Sequence, residues 1–347
     1  MLKENNDVRR VHAVDLFCGI GGLTHGLSLS GIDVKAGFDS DTSCQYAYEA
    51  KNGESKFDAV DVRSIHFCDI APYYKDADVT VMVGCAPCQP FSAHTRRTKK
   101  PQADNYSLVG EFARLIKEGT PDIISMENVP DLAKHEAFEE MIATLDILNY
   151  KYKHDILSCA NYGVPQNRKR LVLLASRLGE IYLPCATGEK TTVADFIRSL
   201  PALEDGQISP DDTAHATLPL SQKNRQRILQ SKPGGSWKDW DKDIINKCHQ
   251  KAYYPASYGR MRWNALAPTI TTQFCYYSTG RFGHPKQNRT ISVREAALLQ
   301  TFPGKYKLTE DGKPLVIREM ARHIGNAVPV KLAEAIGKSI MERANVR

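Results

Sequence analysis

Five residues, Val79-Thr80-Val81-Met82-Val83, are apolar or β-branched throughout and run into Gly84. Such a run reads as a strand buried on both faces, the condition of a parallel sheet covered by helices. Parallel neighbours need long crossovers, so helices must alternate with strands along much of the chain. The next stretch is Gly84-Cys85-Ala86-Pro87-Cys88-Gln89-Pro90-Phe91-Ser92. Its cysteines fall just past the carboxyl end of a buried strand, where open α/β sheets bind their ligands. Pro87 fixes the backbone before Cys88, and the basic segment from His94 to Lys100 follows. Cations brought close to a thiol lower its pKa and make it a nucleophile. Three plainer readings stand beside this one. A cysteine after a strand is often an inert small hydrophobe. Cys85 and Cys88 form a C-x-x-C, the spacing of a redox pair, although Pro90 falls where that motif's helix would begin. Half a zinc site needs a second pair at ligand spacing, and the other seven cysteines are scattered singly, so no metal is expected.

The alternation is present. Val11 to Phe17 reads as a first strand, Cys18-Gly19-Ile20-Gly21-Gly22 as a glycine-rich turn, and Leu23 to Ser30 as a helix stopped by Gly31. A turn of this kind lets a ligand approach backbone N–H groups. The third glycine of the dinucleotide fingerprint would fall at Thr24, which counts against a nicotinamide cofactor. The second strand, Val34 to Phe38, ends at Asp39, about twenty residues after the glycines, where a carboxylate can accept from a ribose hydroxyl. A third, short strand is expected to end at Asp61-Val62. A fifth, Asp122 to Met126, leads into Glu127-Asn128-Val129. Helices are expected over Thr42 to Lys51, Ser107 to Lys117 and Glu136 to Leu148. An extended stretch near Lys153 to Ser158 and a strand from Arg170 to Ala175 follow. The predicted fold is α/β, a doubly wound and mostly parallel sheet. The glycine turn, Asp39, Asp61, Cys88 and Glu127 then share the carboxyl side of that sheet.

From about Ser176 the pattern breaks, and prolines at 184, 201, 210, 219, 233 and 255 cut the chain into short pieces. This predicts a second, irregular domain, with helical periodicity returning at Ser292 to Leu299 and Val330 to Met341. A length of 347 residues is enough for one large and one smaller core. No run approaches the roughly 18 apolar residues of a membrane span, and the first residues lack a signal peptide's apolar core. Nine cysteines without framework spacing predict reduced thiols and a cytoplasmic protein. Lys223 to Arg289 carries 13 Lys/Arg against three Asp, and the same segment holds Trp237, Trp240, Trp263 and five tyrosines. Cations interleaved with aromatics suit a polyanion such as nucleic acid; a solvated face over ordinary core aromatics is the other reading.

These motifs, in this order, resemble the DNA (cytosine-5)-methyltransferase family over most of the chain. Asp15-Leu16-Phe17-Cys18-Gly19-Ile20-Gly21-Gly22 resembles its methyl-donor loop, and Pro87-Cys88-Gln89-Pro90-Phe91-Ser92 its nucleophile motif. Glu127-Asn128-Val129 resembles the catalytic Glu motif, and Gln166-Asn167-Arg168-Lys169-Arg170 the Q-x-R-x-R. The stretch Arg294 to Pro303 and Gly325-Asn326-Ala327-Val328-Pro329 resemble the last two. Asp39 stands where the family more often has Glu, and Cys18 where it often has Ala or Ser.

The resemblance implies a catalytic and S-adenosylmethionine-binding domain over 1–185 plus 318–347, and a target-recognition domain with hinge over 186–317. It implies transfer of a methyl group from S-adenosylmethionine, leaving S-adenosylhomocysteine, to C5 of a flipped-out cytosine in a specific duplex, through a Cys88–C6 adduct. Glu127 would act at N3 and the amine. Arg170, with Arg168 as second choice, would stabilise charge at O2. The donor would lie against Phe17, Gly19, Ile20, Gly21, Asp39, Ser40, Asp61, Val62, Pro87, Asn326 and Val328. DNA would meet Ser92, Arg96, Arg97, Gln166, Arg260, Arg262, Thr271 and Gln273. Duplex DNA is the expected partner of a nucleoid-associated monomer of restriction–modification or orphan type, with a separately acting cognate endonuclease in the first case. A tRNA-methylating member and an inactive DNA-binding relative are the alternatives.

Overall fold

The computed structural model describes residues 9–87, 107–245 and 257–346. The chain divides into two compact units, Met1–Leu157 with Lys169–Ala186 and Val330–Arg347, and Ser158–Arg168 with Thr187–Pro329.

The first unit alternates as the sequence requires. Its elements are β1 (Val11–Leu16), α1 (Gly22–Leu29), β2 (Asp33–Asp39), α2 (Gln45–Asn52), β3 (Lys56–Ala59), one-turn α3 (Phe67–Ile70), β4 (Val79–Gly84), α4 (Ser107–Gly119), β5 (Ile123–Asn128), α5 (Glu136–Ile147), β6 (Lys151–Ser158) and β7 (Lys169–Ser176). Among the described residues these strands form one seven-stranded sheet in the order β3-β2-β1-β4-β5-β7-β6. The pairings β1–β2, β1–β4, β2–β3 and β4–β5 are parallel, and β7 runs antiparallel to β5. The fold is therefore the mostly parallel α/β sheet expected.

The apolar run that predicted a two-faced strand is β4, whose Val79, Val81, Met82 and Val83 are fully buried. β4 lies between β1 and β5, pairing with β1 along Val79–Gly84 and with β5 along Val81–Gly84. At its end Gly84 faces Leu16, whose carbonyl oxygen a Cβ would approach to 2.8 Å. The N–H of Cys85 then donates to the same carbonyl. On one side of the sheet the C-terminal helix Val330–Asn345 packs on α1. Gly26 permits it: a Cβ there would stand 2.4 Å from the Ala333 Cβ and 2.5 Å from the Val330 oxygen.

One boundary differs from expectation. β3 stops at Ala59, not at Asp61. The Asp61 carboxylate caps a single tight turn over Val62–Ser64 by accepting from the Arg63 N–H. A short acid is a better cap than a strand residue, and that preference wins locally.

The second unit is irregular, as its prolines predict. It holds α6 (Val193–Ile197), α7 (Gln222–Gln230), α8 (Val293–Leu299) and α9 (Ile317–Asn326), with a short parallel pairing of Gln166–Asn167 on Ala267–Pro268. Leu220, Ile228, Trp240 and Tyr277 form a small core against which Trp237 and Tyr258 pack. Arg227 is buried there, 5.5 Å above the Trp240 ring and 5.1 Å from that of Tyr258. α8 opens on a capping box between Ser292 and Glu295. Among the described residues no helix is long and apolar enough to cross a membrane.

Candidate active site

The turn between β1 and α1 is the most conformationally demanding in the first unit. Phe17, Gly19 and Gly21 all sit at positive φ, at 61°, 52° and 81°. For Phe17 this is uncommon and costs about 1–2 kcal/mol, so the surrounding structure must over-determine it. The clamp comes from the end of β2. Asp39 Oδ2 accepts from the Gly19 N–H at 2.9 Å, and its Oδ1 from the Asp41 N–H at 2.9 Å. A strand-end carboxylate thus fixes a glycine turn twenty residues away. A Cβ on Gly19 would meet nothing within 4 Å, so the space in front of this backbone is open. The turn and the strand-end acid fit the donor chemistry that the sequence implied.

Beneath the turn, Asp15 is fully buried, and its Oδ2 accepts from Thr24 Oγ1 at 2.7 Å. Its Oδ1 has no hydrogen-bond partner among the described residues. Burial pushes the Asp15 pKa up to about 7, with the Asp39 charge adding to the rise. Thr24, the residue that broke the dinucleotide fingerprint, therefore serves as the donor to this acid. Cys18 is buried beside them, its thiol pKa driven well up by burial first and by the charges of Asp15 and Asp39 next. Ile20 and Val62 are buried, while Ser40 and Pro87 are exposed. Asp61 is engaged by its neighbour, with Arg63 Nη2 2.6 Å from Oδ2, and that hydrogen bond holds its carboxyl below the usual range.

A second cluster stands at the end of β5. Ile123, Ile124 and Met126 are fully buried, and the strand runs into Glu127, only 2% exposed. Arg170, on antiparallel β7, brings its Nε to 3.0 Å from Glu127 Oε1. From the β4 side, Cys85 Sγ donates to Glu127 Oε2 at 2.9 Å. The next residue, Asn128, donates from Nδ2 to the Ala86 carbonyl at 3.0 Å. The segment that leads into residue 88 is thus tied to β5 by two side chains in succession. A buried carboxylate paired with a cation can accept or deliver a proton at a neighbouring group while its charge stays compensated.

The expected nucleophile Cys88 and the expected DNA contacts Ser92, Arg96 and Arg97 lie outside the described residues. Three other expected site residues lie buried in the second unit. Arg168, taken as a second catalytic arginine, is 1% exposed and belongs to the second unit. It donates to the carbonyls of Ile270, Gly325 and Ala327 and is a brace. Gln166 is fully buried: its amide donates to Leu299 O and Gln300 Oε1, and its oxygen accepts from Ile270 N. It holds the scaffold. Arg260 is also buried, donating to the carbonyls of Ser231, Ile228, His284 and Gln287 and to Asn288. A buried guanidinium offers five donors to carbonyls that a loop-rich core would otherwise leave unsatisfied.

Arg289 is likewise buried, forked on Glu295 at 2.7 and 2.8 Å. With Arg227, Arg260 and Arg289 inside, the basic segment is less of a charged face than its composition suggests. Arg262, Thr271 and Gln273 are exposed. Asn326 is exposed at the end of α9, and Val328 is buried. Cys85 was singled out in the sequence only as half of a C-x-x-C. Its contact with Glu127 follows from the register of β4 on β5, in which Gly84 faces Met126.

A family model described as C-5 cytosine-specific DNA methylase matches residues 11–342. The type II methylase M.HgiDII of Herpetosiphon aurantiacus is 46% identical over 94% of this chain and 94% of its own length. The type II methyltransferase M.PspPI of a Psychrobacter strain is 28% identical over 97% and 80%. Among solved structures, Spodoptera frugiperda DNMT2 superposes with a TM-score of 0.67 at 18% identity, covering 95% of this chain and 99% of that one. At that identity the last match bears on the fold.

Proposed function

The chain belongs to the C-5 cytosine-specific DNA methylase family and is a DNA (cytosine-5)-methyltransferase, and on that premise we propose that it methylates one cytosine of a specific duplex sequence through a transient Cys88 adduct. The observation that supports this mechanism most is Glu127, a buried carboxylate beside the strand leading to residue 88 and held by Arg170.

Cytosine C5 is a poor nucleophile, so the ring must first be activated. The Cys88 thiolate adds to C6, and the electron pair of the C5–C6 double bond moves into the ring. Glu127 delivers a proton to N3, or shares it, so that a neutral enamine results. Arg170 compensates the carboxylate and stabilises charge at O2. Residues of the β1–α1 turn would hold S-adenosylmethionine, which would supply an electrophilic methyl group to C5 and become S-adenosylhomocysteine. Glu127 takes back the N3 proton, and loss of the C5 proton to solvent restores the double bond and releases the thiolate. In the first unit, Phe17, Gly19, Ile20, Gly21, Asp39 and Ser40 are the residues assigned to the donor. The second unit is assigned to sequence recognition, and Arg262, Thr271 and Gln273 are its exposed candidates.

C6 is out of reach inside a duplex, so the target is flipped out at a cost of about a few kcal/mol. Duplex DNA is preferred to tRNA as substrate because the family description names DNA. The type II relatives also support a separately acting restriction endonuclease as partner. Transfer of labelled methyl to duplex DNA and none to tRNA is the expected result; transfer to tRNA alone would overturn the substrate.

A further inference from the structure

We propose that Cys85 is a positioning residue for the methyl transfer: its thiol, donating to Oε2, sets the orientation of the Glu127 carboxylate that the base will meet. The inference rests on the reading of Glu127 given above. It goes beyond that reading because it assigns a role to Cys85, the other cysteine of the C-x-x-C.

The physical argument starts from burial. At 2% exposure Glu127 is shielded from water, and its carboxylate depends on protein partners for its orientation. Arg170 reaches Oε1 from β7, on one side of β5, and Cys85 reaches Oε2 from the end of β4, on the other. The terminal torsion of a glutamate is soft, and Oε1 has no hydrogen-bond partner among the described residues although Arg170 stands at ion-pair distance. The thiol supplies the directional contact that fixes the carboxyl plane, and the guanidinium supplies the compensating charge.

A thiol is also a weak donor. Its bond orients Oε2 at little cost and yields it when a stronger N–H donor from a cytosine amine arrives. A guanidinium at the same place would not let go. Cys85 is itself held, by its N–H on the Leu16 carbonyl, and the following Ala86 is held by Asn128. The end of β4 that leads toward residue 88 therefore also orients the acid.

The test uses the full chain with Cys85→Ala, Cys85→Ser, Cys85→Val and Glu127→Gln. Cys85→Ala is expected to lower kcat about tenfold, with KM for DNA and for the donor within about twofold. Cys85→Ser keeps a donor and is expected to recover kcat to within about threefold of the parent. Should the alanine variant lower the unfolding midpoint, the near-isosteric pair decides: Ser active and Val impaired supports the role. Equal rates for Ser and Val, or full activity in Cys85→Ala, overturn it. Glu127→Gln separates the two readings. If it loses turnover while the Cys85 series stays flat, the positioning role fails and the role of Glu127 stands. If Glu127→Gln is fully active, the assignment of the acid is what fails.

Discussion

Arg170 Nε stands 3.0 Å from Glu127 Oε1, joining antiparallel β7 to the end of β5 beside the β4 loop that leads to residue 88. The pair is nearly buried, with side-chain exposures of 13% and 2%. A cation desolvated against a carboxylate is costly to lose singly, because the partner is then left uncompensated. Arg170→Ala and Glu127→Gln should each lower kcat by about 10²–10³, and the double variant should lose little more than either single one. Single-turnover rates check this. Losses that multiply would show that the two residues act independently.

Arg260 and Arg262 are two residues apart and have opposite expected fates. Arg260 is buried among backbone carbonyls, and burial pulls its pKa below the ordinary arginine value. Arg260→Ala should lower the unfolding midpoint, at a cost of about 3–5 kcal/mol. Arg262 is exposed. Arg262→Ala should leave the midpoint unchanged and reduce the slope of log K against log salt by about 1. Thermal unfolding and DNA binding at several salt concentrations test the two together; an unchanged slope would remove Arg262 from the DNA surface.

The difference between these two arginines marks where the sequence stops being informative. The doubly wound sheet was legible because β1, β4 and β5 are short, nearly continuous apolar runs bounded by turn signals, and because Asp39 and Glu127 end their strands. The placement of Asp39 and Glu127 at or beside strand ends followed from the strand pattern. Nothing local distinguishes Arg168 or Arg260 from a surface arginine. Their burial depends on carbonyls of residues far along the chain, such as Ile270 and Gly325 for Arg168. Periodicity and composition carry no signal for such contacts. The Asp61 turn was missed for the opposite reason, a local cap that overrode the strand pattern.

Asp15 makes stability depend on pH. Its pKa is about 7 in the fold, against an ordinary value of 3.8. The unfolded chain therefore releases this proton first as pH rises. Stability is unaffected by the group below about pH 4, falls between about pH 4 and 7, and bears the whole penalty above pH 7, on the order of 4 kcal/mol. Asp15→Asn removes the titration, so its stability relative to the parent should improve from pH 4 to about pH 7 and level off above it. Denaturant unfolding at a series of pH values checks this, and a difference that does not vary with pH would contradict it.

Gly26 tests the packing behind the donor turn. A Cβ there would press on the backbone and side chain of the C-terminal helix at 2.4–2.5 Å. Gly26→Ala should cost about 1–3 kcal/mol despite the better helix propensity of alanine. An unfolding midpoint that stays the same or rises would show that the helices separate without strain.

The central claim is that a Cys88 thiolate adds to C6 of a cytosine held outside its helix. Fluorine at C5 cannot leave as a proton does, so after methyl transfer the adduct cannot collapse and the enzyme stays bound. A duplex carrying 5-fluorocytosine at its target sites, mixed with protein and S-adenosylmethionine, should give a complex that survives denaturing electrophoresis, and Cys88→Ala should give none. A parent protein that methylates ordinary DNA yet never becomes trapped on the fluorinated duplex would contradict the account.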